Sequence, residues 1–199
     1  MISVAIDNKS IGITPVLGCV AFQVGAGETL AVVGPSGVGK TTLLRVLAGL
    51  DADFVGQVKV PERRAMVFQE PALLPWRSAL QNLTLTTGID ESTAREALGE
   101  VGLSDFADRF PGQLSLGQQR RLSLARAFSA APDMLLMDEP FVSLDVSLVS
   151  EMLDLTERLL ASRAIATVFV THAMAEAERL ATRIVRLIGN PATLEDVIS

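Results

Sequence analysis

The chain has no tyrosine, one cysteine (Cys19), one tryptophan (Trp76) and one histidine (His172) among 199 residues. A single cysteine excludes an internal disulfide and fits a reducing compartment. No uninterrupted apolar run approaches the roughly 20 residues needed to span a bilayer, although apolar residues make up 49 % of the chain and mean hydropathy is +0.38. The opening MISVAIDNKS lacks a basic segment followed by an apolar one, so no secretion signal is expected. Positive charge is not in excess either. The formal net charge is −6, which disfavours nucleic acid as the main partner. There is no internal repeat, linker or low-complexity segment. What remains is enough chain for one compact domain and too little for two. It is rich in aliphatic residues, which fits buried parallel strands and an apolar face docked on something else.

The pattern along the chain alternates strand and helix. ETLAVV (Glu28 to Val33), DMLLMDEP, ATVFVTH and RIVRLI read as near-continuous apolar strands, the signature of a parallel sheet covered on both faces. VAFQV and QVKV alternate instead, as in a half-exposed antiparallel sheet near the N-terminus. TTLLRVLAGL reads as a helix stopping near Gly49. Between Glu70 and Ala130 no strand stands out, whereas ESTAREALGEVG and LGQQRRLSLARAFSAA look helical. The expected architecture is therefore α/β. It is a single domain over 1–199, with a core of residues 1–69 and 131–199 and an inserted helical subdomain at about 70–130. The basic positions Arg120, Arg121 and Arg126 are expected to form a solvated helix face.

Two motifs carry chemistry. Gly34-Pro35-Ser36-Gly37-Val38-Gly39-Lys40-Thr41-Thr42 fits G-x-x-x-x-G-K-[ST] between a strand and a helix. Its glycines permit a backbone whose N–H groups converge on an anion, and the helix adds its positive end. Lys40 is placed to reach the β- and γ-phosphates of a nucleotide, and Thr41 to bind Mg²⁺. Asp138 and Glu139 end the apolar run Met134 to Met137, at the carboxyl edge of a strand where α/β folds bind ligands. Asp138 is expected to hold Mg²⁺. Glu139 is expected to take a proton from the water attacking the γ-phosphate, or to orient it.

Beyond these, GPSGVGKTT, VFQEPALLPW, LSLGQQRRLSLARA, LLMDEP, SLD and VTHAMAEAERLATR occur in the order found in ATP-binding-cassette (ABC) ATPases, which the chain resembles from about residue 2 to residue 190. The resemblance implies a P-loop NTPase core with a mainly parallel sheet and an antiparallel N-terminal part. It implies ATP and Mg²⁺ as cofactors, with Gln69 contacting Mg²⁺ or the attacking water and sensing the γ-phosphate, and His172 hydrogen-bonding the γ-phosphate. It also implies that Ser115 to Gln118, including Gly117, form the family signature, and that Asp145 is the aspartate of the family's D-loop. Asp145 also reads simply as the N-cap of the helix that follows.

Ser115-x-x-Gln118 is a capping box at the start of a helix, and a helix start is a seat for an anion. The chain's own P-loop already encloses one side of its nucleotide. The seat is therefore expected to serve the ATP of another chain; the resemblance implies that this chain is a second ABC ATPase subunit, paired head to tail in a homodimer.

The chain departs from the family at two places. Leu116 stands where the signature has its first glycine, which should tighten packing there. Ile11 stands where an aromatic ring usually stacks on adenine. Leu73, Leu74, Pro75 and Trp76 are apolar residues suited to a permease contact, with core packing as the alternative for Trp76. The wording MVFQEPALLPW resembles importer ATPases for nitrate, sulfonate and taurine. A cytoplasmic, membrane-peripheral transport ATPase is expected, with a soluble non-transport ABC ATPase or an exporter-associated one as alternatives. No regulatory C-terminal domain is expected.

Overall fold

The computed structural model describes residues 1–196. Among these, β1 (Ile2–Ile11), β2 (Thr14–Leu17), β3 (Val20–Val24) and β4 (Thr29–Val33) precede α1 (Lys40–Ala48). Two further strands follow, β5 (Val55–Lys59) and β6 (Arg64–Val67). The helices α2 (Ala79–Thr87), α3 (Glu91–Glu100) and α4 (Leu116–Ser129) come next, with short 3₁₀ turns at Ser104–Phe106 and Pro111–Gln113. The chain then alternates β7 (Met134–Asp138), α5 (Val146–Ala161), β8 (Ala166–Thr171), α6 (Met174–Leu180), β9 (Arg183–Gly189) and β10 (Ala192–Asp196). The last three residues of the expected 131–199 core segment lie outside the described residues.

One sheet runs β3-β1-β2-β10-β9-β4-β8-β7-β6, with β5 also paired to β1. From β9 to β6 every pairing is parallel, and β1 meets β2, β3 and β5 antiparallel. Every position of β4, β7 and β8 is buried, because both faces of the sheet are covered. Leu30 and Val32 pack with Leu43, Leu44 and Leu47 of α1 on one face. Ala31 and Val33 pack on the other, in a cluster that also holds Leu83, Leu98, Leu122, Phe128, Leu155 and Phe169. Each such aliphatic side chain contributes about 1.5–3 kcal/mol. That second cluster runs without a break from the central strands into α2, α3 and α4.

Two expectations change. RIVRLI is not a strand buried on both faces. It pairs parallel with β4 but antiparallel with β10, and only Val185 and Leu187 are buried. Nor are the arginines of α4 a solvated face. Arg120 is 5 % exposed. Its guanidinium points at the carbonyls of Phe68 and Val142. Arg126 donates to the carbonyls of Ala72 (2.7 Å) and Pro71 (3.0 Å). Long stems and forked donors let an arginine turn inward where backbone acceptors are offered. Only Arg121 reaches an exposed partner, Glu151 at 2.8 Å.

Candidate active site

The loop 34–39 leaves the buried strand β4 and delivers Lys40 as the first residue of α1. Gly34 admits no side chain, since a Cβ there would lie 2.6 Å from the Leu187 carbonyl oxygen. Gly37 and Gly39 hold φ of 79° and 110°, a region costly for other residues. Lys40 is buried. Its ammonium donates to the carbonyls of Gly34 (2.9 Å) and Pro35 (3.1 Å) and lies 3.3 Å from Glu139 Oε1.

Asp138, the last residue of β7, accepts a hydrogen bond from the Thr41 hydroxyl at 3.1 Å. Burial pushes its carboxyl above the ordinary range, and Glu139 beside it adds to this, while the Thr41 hydrogen bond and Lys40 oppose it. Glu139 follows with φ 43°, a left-handed turn that is unusual for a side-chain-bearing residue. Its other oxygen, Oε2, lies 3.1 Å from His172 Nδ1. The carboxylate is thus held between an ammonium and an imidazole. The His172 loop is anchored in turn by Thr171, whose hydroxyl accepts from the Ala173 N–H at 3.0 Å and donates to Glu176.

Of these residues Lys40, Thr41 and Glu139 line a cleft of about 410 Å³, and Asp138 and His172 do not. Ser36, Gly37, Gly39, Lys40, Thr41 and Thr42 line it together with Gln69 and Glu139. Ile11 and Val16 complete the lining. The wall around Ile11 carries no aromatic ring, and Ile11 itself is 59 % exposed. Phe22 packs against the core instead. A cleft of about 470 Å³ lies elsewhere, lined by Arg63, Phe128, Asp133 and Arg163 among others. Its arginines are already engaged: Arg63 with Asp133, and Arg163 with Glu100 and the Phe128 ring. In the P-loop cleft the Lys40 ammonium and the Glu139 carboxylate meet, and His172 reaches that carboxylate from outside the lining.

Ser115, Gly117, Gln118 and Asp145 are not among the residues lining that cleft. Ser115 caps α4 as the sequence implies: its Oγ accepts from the Gln118 N–H at 3.3 Å, and Gln118 Oε1 accepts from the Ser115 N–H at 2.9 Å. The tight spot is Gly117, where a Cβ would meet Leu148 of α5 at 2.9 Å. Leu116 is 44 % exposed, so it does not crowd the helix start as expected. Asp145 caps α5. Its Oδ1 accepts from the Ser147 hydroxyl (2.6 Å) and the Leu148 N–H (3.0 Å), and these bonds hold its carboxyl below the ordinary range.

The sequence reading missed Val16 in the cleft wall and the Thr171–Glu176 support of His172. Val16 sits in a four-residue strand, too short to carry a period. Glu176 falls in a seven-residue helix, and nothing in its spacing points back to Thr171.

Oxygen donors in and behind the cleft suit a small hard cation. Thr41 supplies a hydroxyl, Asp138 a carboxylate and Gln69 an amide. Among the described residues no group of three His, Cys, Asp or Glu side chains forms a closed cage. Mg²⁺ fits such a site, because it is usually held by one or two carboxylates together with substrate phosphates.

A family model described as ABC transporter matches residues 17–142. The chain is 45 % identical over 195 residues to the aliphatic sulfonates import ATP-binding protein SsuB of Mycobacterium sp. (strain MCS), covering 94 % of this chain and 80 % of that one. It is 48 % identical over 186 residues to SsuB 1 of Agrobacterium fabrum, covering 89 % and 67 %. Among solved structures, a dimeric post-hydrolysis state of the ATP-binding cassette MJ0796 bound to ADP and Pi matches all of both chains, with a TM-score of 0.83 and 26 % identity.

Proposed function

Since this chain belongs to the ABC transporter family and is an ABC ATPase, we propose that it powers a solute importer of the sulfonate-uptake kind, as one of two ATPase subunits beneath a permease. The observation that carries this is the placement of Glu139 between Lys40 and His172 at the rim of the P-loop cleft. A carboxylate held there can act as a base beside a phosphate bound by the P-loop.

Each residue then has a task. Backbone N–H groups of loop 34–39 and the start of α1 bind the phosphates. Lys40 exchanges its carbonyl partners for phosphate oxygens. Glu139 takes the proton of the attacking water, and His172 and Gln69 orient the reacting end. Thr41, Asp138 and Gln69 would hold Mg²⁺, which supplies charge neutralisation at the phosphates. Ser115, Gly117, Gln118 and Asp145 act across the pair, on the partner's nucleotide. Closure of the pair around ATP moves the permease, and hydrolysis reopens it.

Ile11 sets how tightly the base is held. An aliphatic wall offers contact area without ring stacking, so ATP and GTP should bind with similar affinity. Ile11→Tyr is expected to tighten ATP, and GTP with it, about 2- to 13-fold, in line with the ~0.5–1.5 kcal/mol of an aromatic pair. Titration of both nucleotides checks this, and unchanged affinities for both would contradict it.

Exposed apolar residues after Gln69 suit a permease contact. Trp76 is 66 % exposed and Leu85 59 %, which sets aside core packing for Trp76. Leu73 and Leu74 are half-buried beside them. Phe68, Ala72, Thr86 and Thr87 line a neighbouring groove of about 290 Å³. No helix among the described residues is long and apolar enough to cross a membrane. Attachment to the cytoplasmic face of the inner membrane would therefore run through permease subunits docked here. Trp76→Ala is expected to leave ATP binding and basal turnover intact while abolishing co-purification with the permease. Full co-purification would contradict this docking site.

A further inference from the structure

We infer that Arg120 is a positioning residue that couples the signature end of α4 to Gln69 and Glu139 of its own chain. It rests on the ATPase reading above and deepens it. Arg120 lies five residues beyond Ser115, in the second turn of α4, and is almost fully buried. Its guanidinium spans two loops. Nη1 donates to the Phe68 carbonyl at 3.5 Å and Nη2 to the Val142 carbonyl at 3.3 Å.

Each loop carries part of the site. Phe68 is the residue before Gln69, which stands in the cleft wall. Val142 closes a turn on Glu139, its N–H donating to the Glu139 carbonyl at 3.3 Å, and three residues later Asp145 caps α5. The pairing of β6 with β7 ends at Val67 opposite Met137. Beyond that point Arg120 spans the gap between the two loops. Arg126, on the same helix, holds the carbonyls of Pro71 and Ala72, so α4 grips the segment after Gln69 at a second place.

The contacts are those of a joint that is not fully closed. Both Nη distances are long for charge-assisted bonds, and Arg120 Nε is buried without a partner. Among the described residues Arg120 has no carboxylate within ion-pair distance, and burial pushes its guanidinium below the ordinary range, a shift that Glu70 opposes without reversing. A buried cation with unmet donors gains from any shift that brings an acceptor closer. Segments 139–145 and 68–72 are also strained: Glu139, Ser143 and Ala72 have φ of 43°, 64° and 46°. A helix of 14 residues moves as a body. A phosphate seated at Ser115 would therefore pull Arg120, and through it both loops, so that filling one nucleotide site sets the base and the glutamine of the other.

The test compares Arg120→Gln and Arg120→Lys with wild type in the full chain. It measures ATP affinity, kcat and the Hill coefficient for ATP. Arg120→Gln is expected to bind ATP within about 3-fold of wild type and to lose about 10- to 100-fold in kcat, the scale of a misplaced catalytic group, with its Hill coefficient falling towards 1. Lysine keeps the charge without the fork and is expected to fall between the two. If glutamine does not fold, lysine carries the test alone. Wild-type kcat and cooperativity in the folded variants would overturn the coupling, as would equal losses of affinity and kcat. An absence of turnover in wild type would instead bring down the ATPase reading itself.

Discussion

Glu139→Gln is expected to bind ATP and to stop turning it over. The amide is nearly the same size as the carboxylate, so the cleft keeps its shape. It cannot accept a proton, and it gives up the charge that lies 3.3 Å from Lys40 and 3.1 Å from His172. Loss of a positioned base costs about 10²–10⁴-fold in rate, and kcat should fall within that range. Removing a negative charge beside the phosphates leaves ATP affinity unchanged or improved. ATP held without hydrolysis should then trap the closed pair, so the variant is expected to elute as a dimer with Mg-ATP and as a monomer without it. Phosphate release assays and size-exclusion chromatography read the two effects separately. Turnover at the wild-type rate would remove Glu139 from the role of base.

Ser115→Arg has the second large expected effect. Ser115 lies outside the cleft built by its own P-loop, so ATP affinity in the isolated chain should stay within about 3-fold of wild type. The substitution removes the Oγ that accepts from the Gln118 N–H and sets a long cation where the start of α4 would meet a partner's phosphate. The lost cap costs about 1 kcal/mol, a modest loss that leaves the fold intact. Assembly of the composite site is a different matter, and turnover is expected to fall about 100-fold or more, comparable to removing a preorganised transition-state donor. A variant that keeps both ATP affinity and turnover would show that the helix start has only its capping task.

The parts of the fold legible in the sequence are those with strong local chemistry. The three central strands are apolar at consecutive positions because both faces are covered. The P-loop combines three glycines with a lysine, and the capping box at Ser115 is complete within four residues. Elements fixed by distant contacts were not legible. β9 has one parallel and one antiparallel neighbour, and it buries Val185 and Leu187 on one face only, which its run of apolar residues does not encode. Arg120 and Arg126 looked solvated because charge on a helix usually faces water. They turn inward because two loops, far off in sequence, present unpaired carbonyls to them. Asp145 is a helix cap by local chemistry, and its role towards a second nucleotide depends on a surface that belongs to another chain. Leu116 was expected to crowd the signature, but the close packing falls one residue later, at Gly117 against Leu148.

Complementation tests the shared site most directly. Lys40→Ala disables the P-loop, whereas Ser115→Arg disables the signature, and each alone should be inactive. A head-to-tail pair containing one of each has a single intact site, made from the P-loop of the Ser115→Arg chain and the signature of the Lys40→Ala chain. Mixing the two inactive proteins is therefore expected to restore ATP hydrolysis well above either alone. Mixtures that stay as inactive as their components, while Glu139→Gln also remains monomeric with Mg-ATP, would contradict the account.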